Sequence, residues 1–138
     1  MAKKILIMDE EYWSIQPAID RIHFVFGEDV TTYCASGYEG LTRLQEAEFG
    51  CVILDIMFPL GEEMDSDEDS TQSIRGGLIV LGEIRKKLRM SIPVICFTIR
   101  DDEEVKQEIK KYQNTFHISK LNNNGLEILI IQLKKYLN

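Results

Sequence analysis

Apolar positions follow two alternating patterns along the chain. Five short runs are nearly continuous in apolar, β-branched and aromatic residues: "KILIM" (4–8), "VTTYCA" (30–35), "CVILDIM" (51–57), "VICFTI" (94–99) and "TFHIS" (115–119). Continuous runs of this length are the mark of strands covered on both faces, as in a parallel sheet. Between them, apolar residues recur at three- and four-residue steps. The first helical segment carries Ile15, Ala18, Ile19, Ile22 and Phe26, and the second Leu41, Leu44 and Ala47. The third carries Leu78, Leu81, Ile84 and Leu88, the fourth Val105, Ile109 and Tyr112, and the last Leu126, Leu129, Ile130, Leu133 and Leu137. Ser36 with Glu39, and Asp101 with Glu104, read as capping boxes. Pro17 is tolerable in the first helix only if that helix begins near Ser14. Strands alternating with helices imply right-handed βαβ units. The expected fold class is therefore α/β, a doubly wound five-stranded parallel sheet flanked by five helices, in one domain spanning 1–138.

One stretch breaks this rhythm. Residues 60–76 are rich in acids, Ser, Thr and Gly with little to bury, and read as a long inserted loop. Six acids between Glu62 and Asp69 supply nearly all of the net charge of −7. Their spacing resembles a calcium loop, but Ser70 holds the sharp-turn glycine position and Gly76 the place of the bidentate glutamate, so an EF-hand is rejected. Away from that loop the chain is close to neutral, with no basic stripe for direct nucleic-acid binding. Cys34, Cys51 and Cys96 lie in apolar runs without a C-x-x-C pair, and read as buried free thiols in a reducing cytoplasm. No stretch approaches the ~20 apolar residues of a membrane span.

In an open α/β sheet, ligands bind outside the carboxyl ends of the strands. Those ends hold Asp9 and Glu10 after the first strand, Asp55 in the third, Thr98 in the fourth and Lys120 after the fifth. Three carboxylates brought together raise one another's pKa unless a cation shares the site. An oxygen-only ligand set with open positions favours Mg²⁺, which also takes phosphate oxygens. A phosphate held beside Asp55 would be placed for in-line attack by the carboxylate. The lysine and the hydroxyl would stabilise the transferred oxygens. Singly, each residue has a plainer use: Asp9 and Glu10 as helix caps, Thr98 as an ordinary strand residue, Lys120 as a solvated end.

As an ordered set, these stretches resemble the receiver domains of two-component response regulators, a flavodoxin-like fold. "KKILIMDEE" is similar to the family's first strand and acidic pair, and "VILDIMFP" to its phosphoacceptor strand. "GGLIVLGEIRK", "PVICFTI" and "FHISK" are similar to its third helix, fourth strand and fifth strand. The resemblance implies Asp55 as the phosphorylated aspartate, and Mg²⁺ held by Asp9, Glu10, Asp55 and the main-chain carbonyl of Met57. It makes Thr98 the switch hydroxyl and Lys120 the phosphate-binding lysine. It implies no enzyme beyond the domain's own aspartyl phosphorylation and dephosphorylation. The implied partners are a sensor histidine kinase or phosphotransfer protein and an output protein, with weak homodimerisation.

The chain departs from the family pattern in four places. Glu10 stands where the second acid is usually aspartate. Leu121 follows Lys120 where a proline in a cis bond is usual. His117 replaces the switch aromatic, and the acidic insertion separates Pro59 from Gly77. These changes motivate an alternative, a degenerate receiver acting as a phosphorylation-independent interaction module. A flavin-binding relative is disfavoured because the first strand–helix junction lacks a phosphate loop.

Overall fold

The computed structural model describes residues 3–57 and 76–137. The expectations for the acidic loop fall on residues outside that range, except that Gly76 belongs to the following helix. The elements run β1 (Ile5–Met8), α1 (Tyr12–Phe26), a 3-10 turn (Glu28–Val30), β2 (Thr31–Cys34), α2 (Gly37–Glu46) and β3 (Cys51–Leu54). They continue with α3 (Gly76–Gly82), which runs into a π turn (Glu83–Lys87), β4 (Val94–Thr98), α4 (Glu103–Lys110), β5 (Thr115–Ser119) and α5 (Gly125–Leu137). All five strands are parallel, in the order β2-β1-β3-β4-β5. The strand order reverses between β1 and β3, so that junction is where a ligand crevice is expected.

Residue parity divides the core into two layers. Leu6, Met8, Val52, Leu54, Val94 and Cys96 face one side of the sheet and pack against α2, α3 and α4. Ile5, Ile7, Cys51, Ile53, Ile95 and Phe97 face the other side, against α1 and α5. Because both faces are covered, the strands carry apolar residues at nearly every position.

Local structure differs from the sequence-based expectation in three places. Helix α1 begins at Tyr12 rather than near Ser14, which leaves Pro17 inside it. Pro17 has no N–H for the Trp13 carbonyl, but both residues lie on the exposed side, where the freed carbonyl is open to solvent. The capping box expected of Asp101 and Glu104 is displaced by one residue. Asp102 is the N-cap, and its carboxylate takes the Arg100 guanidinium at 2.9 Å instead of a helix amide. The Ser36 box forms in one arm, with Ser36 Oγ accepting from the Glu39 amide at 3.2 Å, while the Glu39 carboxylate takes the Ala35 amide at 3.3 Å in place of the Ser36 amide.

The three cysteines are buried and free, as their apolar runs imply. Burial pushes each thiol up to about 12. Among the described residues no helix is long and apolar enough to cross a membrane.

Candidate functional site

The parity that builds the core also sorts the site. Continuing the outward alternation, Asp9 follows Ile7, Asp55 follows Ile53 and Lys120 follows Ile118, all on the α1/α5 side of the sheet. Thr98 follows Cys96, and so belongs to the other side.

The ladder extends one residue past the strands. The Asp55 amide donates to the Met8 carbonyl at 2.9 Å, and the Asp9 amide to the Cys34 carbonyl at 3.1 Å. Both carboxylates are thereby fixed by backbone, on either side of the β1/β3 switch point. Gly77 completes the support. Its amide donates to the Ile56 carbonyl at 2.8 Å, and a Cβ there would lie 2.2 Å from the Asp55 carbonyl oxygen. Only glycine lets α3 come this close to the Asp55 backbone.

Lys120 joins the two acids. Its Nζ donates to Asp9 Oδ2 at 2.6 Å, to Asp55 Oδ2 at 3.2 Å and to Ser14 Oγ at 3.1 Å. The lysine side chain is 9% exposed, and the residues Asp9 and Asp55 are 2% and 7% exposed. The remaining carboxylate oxygens are also engaged. Asp9 Oδ1 accepts the Glu11 amide at 3.0 Å and Asp55 Oδ1 the Met57 amide at 3.1 Å. Burial raises the pKa of Asp9 despite the opposing pull of Lys120 and the Glu11 amide. Desolvation, reinforced by Glu11, Asp55 and Asp9, raises Glu10. Asp9 and Asp55, two buried carboxylates sharing one ammonium, are hard-oxygen ligands to which a divalent cation would add positive charge.

The donor set suits such an ion in part. Among the described residues no three acidic, histidine or cysteine side chains converge into a ready-made cage. Glu10 is exposed, one residue beyond Asp9. Two carboxylates, a main-chain carbonyl and several waters nevertheless match the way Mg²⁺ is commonly held.

Thr98 is fully buried at the end of β4, and its Oγ1 accepts the Arg100 amide at 3.2 Å. His117 Nε2 lies 2.8 Å from the Arg100 carbonyl, the geometry of a ring N–H donating to it. One peptide segment is therefore held between the β4 hydroxyl and the β5 imidazole. No peptide bond among the described residues is cis, so Lys120–Leu121 is trans. The Leu121 N–H, which a proline would lack, donates to Ser119 Oγ at 3.1 Å and shapes the turn that follows.

Of the five residues expected to converge on one patch, the structure brings Asp9, Asp55 and Lys120 together, leaves Glu10 exposed beside Asp9 and turns Thr98 to the other side of the sheet. Sequence reasoning missed three supporting residues. Ser14 is a hydroxyl beside the apolar inward stripe of α1, which is the signal that could have found it. Gly77 ends a Gly–Gly pair at a helix start. Tyr33, in the middle of β2, donates its hydroxyl to the Asp9 main-chain carbonyl and meets Tyr12 edge to face at 5.0 Å. Its phenol is pushed up to about 12 by burial and the Asp9 charge.

A cleft of about 1030 Å³ lies at the opposite end of the strands between residues 44–49 and 89–92. Its charged lining residues are all exposed. Chemistry rather than volume places the site at the strand carboxyl ends.

No family model and no curated protein sequence matches the chain. Solved structures do match it. The chemotaxis protein CheY4 of Vibrio cholerae is 23% identical with a TM-score of 0.74, over 99% of this chain and 100% of that one. The BeF3-activated DrrB receiver domain, from Thermotoga maritima, is 20% identical with a TM-score of 0.71, over 99% and 97%. A CheY-like receiver domain protein of Methanospirillum hungatei is 21% identical with a TM-score of 0.69, over 99% and 97%. At these identities the shared property is the fold. Over nearly its whole length this chain has the five-stranded, CheY-like receiver fold.

Proposed function

We propose that the chain is a phosphoacceptor receiver of two-component signalling, with Asp55 as the residue phosphorylated. The observation that carries this reading is the Lys120 ammonium spanning Asp9 and Asp55 at the ends of β1 and β3. The donor is a phosphohistidine of a sensor kinase or phosphotransfer protein. A carboxylate oxygen of Asp55 forms the new O–P bond as the P–N bond breaks. The departing imidazole keeps the electron pair and takes up a proton from solvent.

Mg²⁺, when bound, supplies positive charge for the phosphoryl oxygens. Asp9, Glu10, Asp55 and the Met57 carbonyl are the residues to hold it. Asp9 and Asp55 are pre-positioned by the sheet ladder, so little reorganisation is needed when charge arrives. Lys120 then exchanges its contact with Asp55 for the phosphoryl group, keeping its hold on Asp9 and Ser14. Thr98 turns its hydroxyl to donate to a phosphoryl oxygen and gives up the Arg100 amide, which frees the segment that His117 also holds. The fold solves charge placement; the partner reads the released segment. The chemistry is confined to the chain's own aspartate, so no other substrate is turned over.

Two of the neighbouring structures support this reading in their own right: the DrrB receiver domain is described as BeF3-activated, and TrrA of Thermotoga maritima as a complex with Mg(2+)-BeF. The second reading, a phosphorylation-independent interaction module, is favoured by the exposed Glu10 and by the absence of a three-acid cage among the described residues. One experiment separates the two. The chain is incubated with Mg²⁺ and a small phosphoramidate donor, and its intact mass is measured. Gain of one phosphoryl group that is lost in Asp55→Asn supports the receiver. No adduct, or one that survives the substitution, overturns it.

A further inference from the structure

Lys120 is anchored at its backbone end only. Its amide donates to the Thr98 carbonyl at 2.9 Å, beside the end of β4. Beyond that bond a flexible four-carbon stem carries a compact point charge. An ammonium has three N–H bonds to give. All three have acceptors here: Asp9 Oδ2 at 2.6 Å, Ser14 Oγ at 3.1 Å and Asp55 Oδ2 at 3.2 Å. Two of these are carboxylates at the ends of β1 and β3. The third is a neutral hydroxyl on α1, the helix that covers the sheet.

That hydroxyl is spent in an unusual way. Ser and Thr within a helix often return their hydroxyl to the carbonyl four residues back. Thr42 does so in α2, donating to the Tyr38 carbonyl at 2.9 Å. Ser14 instead meets a residue 106 positions away. Its own place is fixed by the first turn of α1, where the Ser14 amide donates to the Glu11 carbonyl at 2.9 Å, and by the buried Ile15 beside it.

The third bond matters because the other two lie in the sheet. Two acceptors alone would let the ammonium slide along the line between them, and an acceptor on α1 fixes it in space. In transfer, a carboxylate oxygen of Asp55 forms the O–P bond as the donor's P–N bond breaks. The leaving nitrogen keeps the electron pair and takes a proton from solvent. The N–H that faced Asp55 then turns to a phosphoryl oxygen, and only Asp9 and Ser14 hold the ammonium against that pull.

We propose that Ser14 is a positioning residue for phosphoryl transfer: its hydroxyl holds the Lys120 ammonium so that one N–H faces Asp55 before transfer and the phosphoryl group after it. Ser14 acts through the lysine and does not touch the reacting atoms. The proposal rests on Asp55 being the phosphoacceptor.

Two measurements on the full chain test it. In the first, without donor or Mg²⁺, an acetylating reagent is applied and the labelled lysines are read by peptide mass. Ser14→Ala should raise the rate at Lys120 about fivefold, the weight of one hydrogen bond, and leave exposed Lys110 unchanged. In the second, adduct formation from Mg²⁺ and a small phosphoramidate is followed by intact mass. Ser14→Ala should slow it about fivefold. Ser14→Thr and Ser14→Val have nearly one shape and differ by the hydroxyl, so their comparison removes packing from the result. The Thr variant should transfer faster than the Val variant and react less at Lys120, with circular dichroism verifying the fold of each. Equal Lys120 labelling with and without Ser14, equal transfer rates, or Thr and Val variants that behave alike would overturn the proposal. No adduct even on the unsubstituted chain overturns the receiver reading and the proposal with it, an outcome distinct from equal rates.

Discussion

The two sides of the sheet meet the carboxyl-end site with different chemistry. On the α1/α5 side, Asp9, Asp55, Lys120 and Ser14 form a dense charged cluster, with three hydrogen bonds from Lys120 Nζ to oxygen within 3.2 Å. On the α4 side, Thr98 and His117 make neutral bonds to the backbone of a single residue, Arg100. The first arrangement binds charge and resists displacement. The second holds a peptide segment by bonds individually worth about 1 kcal/mol. One sheet thus separates a strong electrostatic centre from a weak mechanical latch, and alternation along β1, β3, β4 and β5 is what keeps them apart.

Substitutions can break or sharpen that contrast. Asp55→Asn has the largest effect, complete loss of the phosphoryl adduct by intact mass with the fold retained. Next is Lys120→Met, which leaves Asp9 and Asp55 facing one another without a cation. Urea unfolding near neutral pH should show a loss of about 3 kcal/mol, shrinking as acid protonates the pair. If Lys120→Met is as harmless as a latch variant, the contrast between the two sides fails.

Gly77→Ala should cost about 2 kcal/mol by the same measurement, because its Cβ would enter the Asp55 backbone. Asp9 supplies a test by sign. Its pKa is raised in the fold, chiefly by burial, so the folded state binds this proton more tightly than the unfolded chain does. Its contribution is present below the ordinary carboxyl range and is lost as pH rises through the raised value. Asp9→Asn should flatten that decline and leave the protein more stable at neutral pH, while weakening Mg²⁺ binding. The smallest effect belongs to the latch. His117→Phe removes one bond to the Arg100 carbonyl and should cost about 1 kcal/mol, with phosphoryl uptake by a small donor nearly unchanged.

Much of the fold was legible because burial on both faces writes a continuous apolar run, and five such runs matched the five strands closely. The site was legible for a related reason. Asp9 and Lys120 directly follow apolar runs, and Asp55 and Thr98 interrupt them near their carboxyl ends, where a polar residue stands out. The remainder depended on contacts between distant segments. Nothing near Pro17 says that α1 extends past it, because the tolerance comes from exposure of the Trp13–Pro17 side. Ser14 matters only because β5 delivers Lys120 to it. The Lys120–Leu121 bond is trans, the ordinary state before a non-proline residue, and the Leu121 N–H, which a proline would lack, donates to Ser119 Oγ.

Lys120 and Asp9 lie 111 positions apart in the chain. Their contact closes the molecule nearly end to end, and such long closures carry an entropic cost that is recovered only late in folding. During synthesis the two acids emerge long before the lysine, so a nascent chain holds two carboxylates at one switch point with no cation between them. On the proposed function, competence to accept a phosphoryl group arrives together with β5, and a donor meeting an unfinished chain finds no assembled acceptor.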